Sequence, residues 1–592
     1  MRHMQQIGPI QLRSRGDVWC AIAIGLFVLL VVRLWSIQIT NHEAYQTEAT
    51  NRQGRCWPIR APRGNIYDRN GIPLALNLKL HSVAADPHLV GHPSKLASDL
   101  APLLKMPVRQ LTAKLTRKEG TRYVLLRDSV DTPVAEAVRE LGCDGMIVNT
   151  AWKRAYPREH VAAALLGFIG KDSQGLSGIE AAANDRLAGE DGEMLVVLDG
   201  RLPSSRDRIP DRTVLTKRME PGSSVRLTID LDIQAIAEEE LAKAVEKAKA
   251  AGGTAIVMDP ISGDVLALAT LPGFDPNEFQ KSSPETWVSR AVVTPYEPGS
   301  TFKVIGACAA MEEGILTDGE TLHCEGSYEV GGHSINCSPH GGERAHGTVD
   351  LGDIVTKSCN TGMARVALAL GAERMYQWAR RFGFGEKTGI ELAGESRGIL
   401  SRPEQWSSVQ LATVGFGQGI SVTPLQLLSA YCAVANGGWR MQPRVVGAVT
   451  GPGGEIERLS RPDPVRILSA DTCERMRGML VRAVEDGTGV TAQVPGHQVA
   501  GKTGTAQKAT PGEGYRSDKY VASFAGFAPA DRPRLAILVT VDEPRNGRYG
   551  ATVAAPAFRA ICERSLIHLR VPPDRPLPQH EIALAVGRAE RR

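Results

Sequence analysis

Between Val18 and Ile39 the chain carries no acidic residue and one basic one, Arg33. At about 1.5 Å per helical residue this run reaches roughly 30 Å, the thickness of a bilayer hydrocarbon core. Trp19 and Trp35 stand near its ends, where aromatic rings favour the interface, and Arg33 can snorkel outward. A cleaved signal peptide or a buried soluble helix would read similarly. No Ala-x-Ala-like site follows the run, and its length favours an uncleaved anchor. Arg2, Arg13 and Arg15 precede it and Arg52 and Arg55 follow, a modest asymmetry that places the N-terminus inside. The chain therefore divides into a cytoplasmic tail (1–16), a transmembrane anchor (17–40) and a large remainder outside the cytoplasm.

At 592 residues, the chain is long enough for several domains. A net charge of +4 without a long basic run gives no argument for nucleic-acid binding. Residues 41–225 mix strand-like runs, such as 81–85 and 193–198, with short amphipathic helices such as 133–141. Asn70-Gly71 marks a turn between extended segments. Arg63, Asp68 and Arg69 read as a structural salt-bridge network. From about Arg226 the texture changes. A helix capped by Asp230 or Asp232 carries Ile233, Ile236, Ala237, Leu241, Ala244 and Val245 on one stripe and is expected to end at Gly252-Gly253. Strands over 254–258 and 265–269 follow, joined by the turn 259–264. Helix, hairpin and a further helix after Ser300 indicate an α+β fold with an antiparallel sheet. Past Arg570 a Pro-rich, charged end (571–592) reads as a flexible tail.

Three short motifs carry chemistry. Ser300 and Lys303 are spaced i, i+3, so on a helix the amine folds back over the hydroxyl. The flanking residues, Phe302 to Met311, are apolar nearly all round, which buries the helix and lowers the lysine pKa. A neutral lysine is a base toward serine, and the helix N-terminus favours an oxyanion. The second motif, Ser358-Cys359-Asn360, places a hydroxyl and an amide on one side of a turn. The third, Lys502-Thr503-Gly504-Thr505, precedes two strands, 520–527 and 535–541. An edge strand there would hold an extended peptide, Gly504 would admit its close approach, and Lys502 with Thr505 would bind a carboxylate. Singly, each motif is as readily a capped helix, a polar turn or a hairpin with a surface lysine.

The ten cysteines form no repeating pattern, and most lie in apolar surroundings. Cys324 and Cys337 flank a Gly-rich, turn-rich segment. Their spacing suits a local disulfide, while two free thiols, or a metal site with His323, His333 and His340, remain open.

In that order, S-x-x-K, S-x-N and K-T-G resemble the penicillin-binding proteins and serine β-lactamases. The segments 298–303, 358–360 and 502–507 are similar to class B penicillin-binding proteins, the monofunctional peptidoglycan transpeptidases. So are Arg63-Gly64 through Gly71, the run 175–180, Gly415-Phe416-Gly417-Gln418-Gly419, Thr423 to Gln426 and Ala435 to Gly438. No Glu-x-x-x-Asn lies between Asn360 and Lys502, unlike class A β-lactamases. Asn360 and the run Val553 to Phe558 resemble the division branch, whereas the elongation branch more often has Asp in place of that Asn. Cys359 departs from the serine common there, and its side chain is expected to point away from substrate.

The resemblance implies a transpeptidase domain (226–570), an antiparallel sheet flanked by helices, on a mixed, β-rich pedestal (41–225). It implies catalytic roles for Ser300, Lys303, Ser358 and Asn360 and substrate binding by Lys502, Thr503, Gly504 and Thr505. The Ser300 and Thr505 backbone N–H groups would form the oxyanion hole. The substrates would be peptidoglycan stem peptides, a D-Ala-D-Ala donor and an amine acceptor, with β-lactams as covalent inhibitors. The site would need no metal and no organic cofactor. A membrane glycan polymerase and other division-machinery proteins would be partners. An elongation transpeptidase, a D,D-carboxypeptidase and a penicillin-binding sensor or scaffold are the alternatives.

Overall fold

Apolar side chains without a core to enter form the first element, α1 (Ile10–Trp35), continued by a π-helical turn over Ser36–Thr40. Gly16–Thr40 is long and apolar enough to cross a membrane, and none of it is buried against protein. The computed structural model describes residues 10–45, 54–116, 123–198, 208–337, 344–510 and 514–576.

Two compact units follow from the chain's internal contacts. The smaller holds residues 1–61, 79–152 and 190–220. Its antiparallel sheet joins Gly54–Ile59, Gly192–Leu198 and Arg208–Lys217. A separate core of Val83, Leu96, Leu100, Leu111, Leu126 and Val138 is supplied by strands and by the helices Pro93–Leu104, Val108–Leu115 and Thr132–Glu140. The strand and helix expected over 81–85 and 133–141 are both present.

The larger unit holds 62–78, 153–189 and 221–592. Asp230 caps α2 (Leu231–Ala248), accepting from the backbone N–H groups of Asp232 and Ile233. The helix ends one turn before the expected glycines, at Lys249 in the left-handed conformation (φ 47°). Gly252 and Gly253 open the next strand instead. Strands β1 (Gly252–Met258) and β2 (Val265–Leu271) form the expected hairpin. Further along the chain lie helices α3 (Lys303–Glu312), α4 (Leu351–Thr356) and α5 (Asn360–Leu370). Strands β3 (Ala500–Thr510), β4 (Gly514–Ala528) and β5 (Leu535–Asp542) complete an antiparallel sheet in the order β2-β1-β5-β4-β3. Helix α6 (Ala555–His568) lies with α2 on one face, where Ile233, Leu241, Phe524, Phe558 and Ile561 are buried together. The other face meets a larger core that includes α3 and α5. The sheet thus has helices on both sides and β3 at an edge. Beyond α6, Asp574 donates its N–H to Gly496 O at 3.0 Å, so the first residues of the expected tail are held; those from 577 lie outside the described residues.

The anticipated salt-bridge network is real for one residue and not for its neighbours. Buried Glu180 pairs with Arg63 at 2.6 Å and with Arg154 at 2.7 Å. Asp68 instead accepts from the backbone N–H groups of Asn70, Ile72 and Leu231, fixing the turn at Asn70-Gly71. Arg69 donates its backbone N–H to Ile229 O.

Candidate active site

A 3₁₀ turn, Gly299–Phe302, delivers Ser300 to the start of α3. The helix proper begins at Lys303 rather than at Ser300, and every residue from Lys303 to Ala310 is buried. Burial follows from composition, since an all-apolar helix surface has no face to give to water. The turn is clamped from several sides. Thr301 Oγ1 donates to Pro298 O, Tyr431 Oη donates to Thr301 O at 2.9 Å, and Gly299 N donates to Gly417 O at 3.0 Å. Gly417 (φ +83°) lies so close that a Cβ there would sit 2.2 Å from Gly299 O. The Gly-rich run 415–419 is therefore a backbone support for the nucleophile turn.

Lys303 is fully buried and its Nζ lies 3.1 Å from Ser300 Oγ. The same amine donates to Asn360 Oδ1 and Ser358 O at 2.6 Å each and lies 3.1 Å from Ser358 Oγ. Burial lowers its pKa to about 8, against a smaller opposing influence of Cys359 and Cys337. Ser358 occupies the left-handed region (φ 57°) in the tight turn between α4 and α5. That rare conformation turns its carbonyl and hydroxyl toward one amine. Asn360 Nδ2 donates to Asn336 O at 2.9 Å, so both ends of its amide are engaged. Cys359 points the other way, fully buried, where its sulfur accepts from Gly362 N and caps α5.

Along β3, Lys502 is fully buried, with Thr488 Oγ1, Thr503 O and Thr503 Oγ1 each 3.4 Å from Nζ. Burial first, and the charge of Lys303 second, push its pKa well below the usual lysine value. A carboxylate near Lys502 would oppose both effects. Thr503 Oγ1 lies 2.7 Å from Thr488 Oγ1, and Thr505 Oγ1 accepts from Gly550 N at 3.1 Å. Gly504 departs from its expected purpose. A Cβ there would meet Ser523 Oγ at 2.3 Å and Thr301 Cγ2 at 3.0 Å, so its missing side chain lets β3 seat against β4 and the nucleophile turn. It still lines the cleft.

Ser300, Ser358, Asn360, Thr503, Gly504 and Thr505 line one cleft of about 620 Å³, while Lys303 and Lys502 are buried behind this lining, in reach of Ser300 and Thr503. Thr488, Asn336, Tyr520 and Arg548, which nothing in the sequence marked, also line it or bond to the motif residues. For Thr488 the one local signal available is its place in the turn-rich run Asp486-Gly487-Thr488-Gly489. The arrangement can ionise a serine through a buried amine, relay a proton through Ser358, and hold an extended chain along the edge strand.

Behind this turn Cys324 and Cys337, whose pairing the sequence leaves open, form no disulfide. The two sulfurs are unbridged and 3.7 Å apart, nearly twice a disulfide bond, and Cys337 Sγ also lies 3.7 Å from Cys359 Sγ. His323 and His333 are exposed and away from the sulfurs, and His340 lies outside the described residues. His346, not singled out in the sequence, stands 3.4 Å from Cys324.

Residues 253–563 match the family described as the penicillin binding protein transpeptidase domain, and residues 58–227 match the penicillin-binding protein dimerisation domain. The chain is 35% identical over 575 residues to stage V sporulation protein D of Bacillus subtilis, covering 96% of this chain and 88% of that protein. It is 31% identical to the peptidoglycan D,D-transpeptidase FtsI of Escherichia coli K12, covering 94% and 92% of the two chains. The crystal structure of penicillin binding protein 3 from Mycobacterium tuberculosis complexed with aztreonam matches at a TM-score of 0.68 and 31% identity, across 88% of this chain and 99% of that one.

Proposed function

The chain belongs to the class B penicillin-binding proteins, and from that premise we propose that it is a peptidoglycan D,D-transpeptidase acting through a Ser300 acyl-enzyme. The observation that carries the reading is the single amine of Lys303, buried, partly neutral near pH 8, and within 3.1 Å of Ser300 Oγ. Ser300 attacks the peptide carbonyl of a D-Ala-D-Ala donor while Lys303 takes its proton. The N–H groups of Ser300 and Thr505 stabilise the oxyanion. Ser358, held by the same amine, passes the proton to the departing D-alanine, and Asn360 orients both lysine and substrate. Lys502, Thr503 and Thr505 bind the terminal carboxylate, with Gly504 keeping β3 in place. The amine of a neighbouring stem then attacks the ester, forms the cross-link and frees Ser300. β-Lactams present the same acyl group and carboxylate, and so trap this serine.

The resemblance of Asn360 and the run Val553 to Phe558 to the division branch, with a relative named for sporulation, supports a septal role, with a membrane glycan polymerase and division-machinery proteins as partners. Helix α1 with its continuation serves as a single-pass anchor in the cytoplasmic membrane. Residues 1–16 lie inside, and the pedestal (41–225) and transpeptidase domain (226–570) lie outside. The test is labelling of the full-length protein with fluorescent penicillin, followed by incubation with donor and acceptor stem peptides. Labelling lost in Ser300→Ala, together with dimeric muropeptides from the wild type, is expected. Labelling that survives the substitution would remove the nucleophile, and D-alanine release without dimers would make the chain a carboxypeptidase.

A further inference from the structure

Directly behind the Ser358-Asn360 turn, Cys324, Cys337, Cys359 and His346 each offer one ligand atom, and these atoms all lie within 4.8 Å of one another. Three of the groups are buried and His346 is half-buried. The spacing discriminates between chemistries. A disulfide holds its sulfurs about 2.05 Å apart. Tetrahedral coordination at a metal–sulfur distance of about 2.3 Å holds them roughly 3.7–3.8 Å apart, and a sulfur and an imidazole nitrogen roughly 3.5 Å apart. The observed separations are 3.7 Å for Cys324–Cys337, 3.7 Å for Cys337–Cys359 and 3.4 Å from Cys324 Sγ to His346 Nδ1.

Donors also converge on the sulfurs. Thr361 N points to Cys337 Sγ at 3.5 Å and Gly362 N to Cys359 Sγ at 3.3 Å. Thr361 Oγ1 donates to Cys324 Sγ at 3.0 Å. Backbone and hydroxyl donors of this kind stabilise ionised thiolates and orient them around a cation. Among the described residues no disulfide ties the chain segments involved. Cys324 ends the short strand Leu322–Cys324, and Cys337 follows the hairpin Ser327–Val330/His333–Asn336. His346 precedes Gly347–Val349, which pairs with the first of these strands, and Cys359 is the middle residue of the active-site turn.

We infer that Cys324, Cys337, His346 and Cys359 form a tetrahedral site for a soft divalent cation, Zn²⁺, which fastens the hairpin to the turn that carries Ser358 and Asn360. Four protein ligands close the coordination shell, so the ion is structural and takes no part in acyl transfer. Binding releases one proton for each thiol it ionises. The assignment stands on the geometry of this cluster and does not depend on the transpeptidase reading.

The test uses full-length protein purified in detergent without chelator. One zinc per chain is expected by elemental analysis. Chelator-stripped protein should recover it on titration with Zn²⁺ alone, with Cys324, Cys337 and Cys359 becoming protected from alkylation. Co²⁺ in its place should give the spectrum of a tetrahedral, thiolate-bound ion. Cys337→Ser should abolish binding. His346→Ala, at the half-buried ligand, should weaken zinc binding at least about 10-fold, as even outer partners of a metal site do. Cys473→Ser, at a buried thiol outside the cluster, should retain full zinc content. Thermal unfolding of each variant separates loss of the site from loss of the fold. Protein isolated without zinc that neither binds added Zn²⁺ nor gains protection from alkylation would overturn the inference. So would a Cys324–Cys337 disulfide in the protein as isolated, or zinc retained at full affinity by the folded His346→Ala variant.

Discussion

Two of the places where the larger unit buries charge treat it in opposite ways. Around Glu180 a carboxylate with no solvent exposure accepts from two guanidinium groups, Arg63 and Arg154, and from Tyr156 Oη at 3.2 Å. Burial, then the Glu180 charge, pushes the Tyr156 hydroxyl far up, so it stays a donor. Behind the cleft lining, Lys303 and Lys502 are equally buried, yet among the described residues neither forms an ion pair with a carboxylate. Burial therefore lowers both lysine pKa values. A neutralised buried charge holds a fold together. A buried amine left without a counter-ion is a base, or a receptor for an anion that substrate brings.

That contrast can be broken at either end. The largest effect is expected in the cleft. Ser300→Ala should lower acylation by a labelled penicillin by more than about 10⁴-fold, as removal of a serine nucleophile does elsewhere, without shifting the thermal midpoint downward. Persistent acylation would mean that another group is the nucleophile. Glu180→Gln should do the reverse, costing about 3–5 kcal/mol of stability by stranding Arg63 and Arg154, with acylation per folded molecule little changed. Denaturant unfolding of the two variants side by side would show whether structural and chemical charge are separable. Lys502→Ala should weaken acylation by carboxylate-bearing β-lactams about 100-fold, the scale of losing one partner of a buried charged contact. Its effect should fall on apparent binding more than on the maximal rate.

The smallest and sharpest effect concerns pH. With its pKa lowered to about 8, Lys303 is charged and unable to accept a proton on the acidic side and becomes a base above it. Acylation should therefore rise roughly tenfold per pH unit below about 8 and level off above it. Replacing a nearby group that holds the amine, as in Asn360→Ala, should move that limb. A rate independent of pH from 6 to 9 would assign the base elsewhere.

Much of this was legible because the signals are local. The anchor is a matter of length and hydropathy, Asp230 is a cap beside its own helix, and Asn70-Gly71 is a turn between its own strands. The i, i+3 spacing of Ser300 and Lys303 needs only a helical turn, and an apolar stretch after it ensures burial. Glycines were read less well. Gly252 and Gly253 seemed to stop a helix and instead begin β1. Gly504 seemed to make room for a ligand and instead makes room for Ser523 and Thr301. A glycine advertises that a side chain is forbidden, and the neighbour that forbids it is usually distant in sequence.

By itself the sequence determined one long apolar helix, an α+β unit with an edge strand, and three motifs whose residue types suit acyl transfer to and from serine. Tertiary structure alone decided that Lys303 would reach Ser358 and Asn360 as well as Ser300, and that Lys502 would be buried with no carboxylate partner among the described residues. It also decided that Cys324, Cys337, Cys359 and His346 would gather as unbridged ligands behind the same turn. The physical reason is the same in each case. Local patterns set backbone conformation through short-range sterics and burial, whereas a pKa or a ligand set depends on which atoms from remote segments share one dry space.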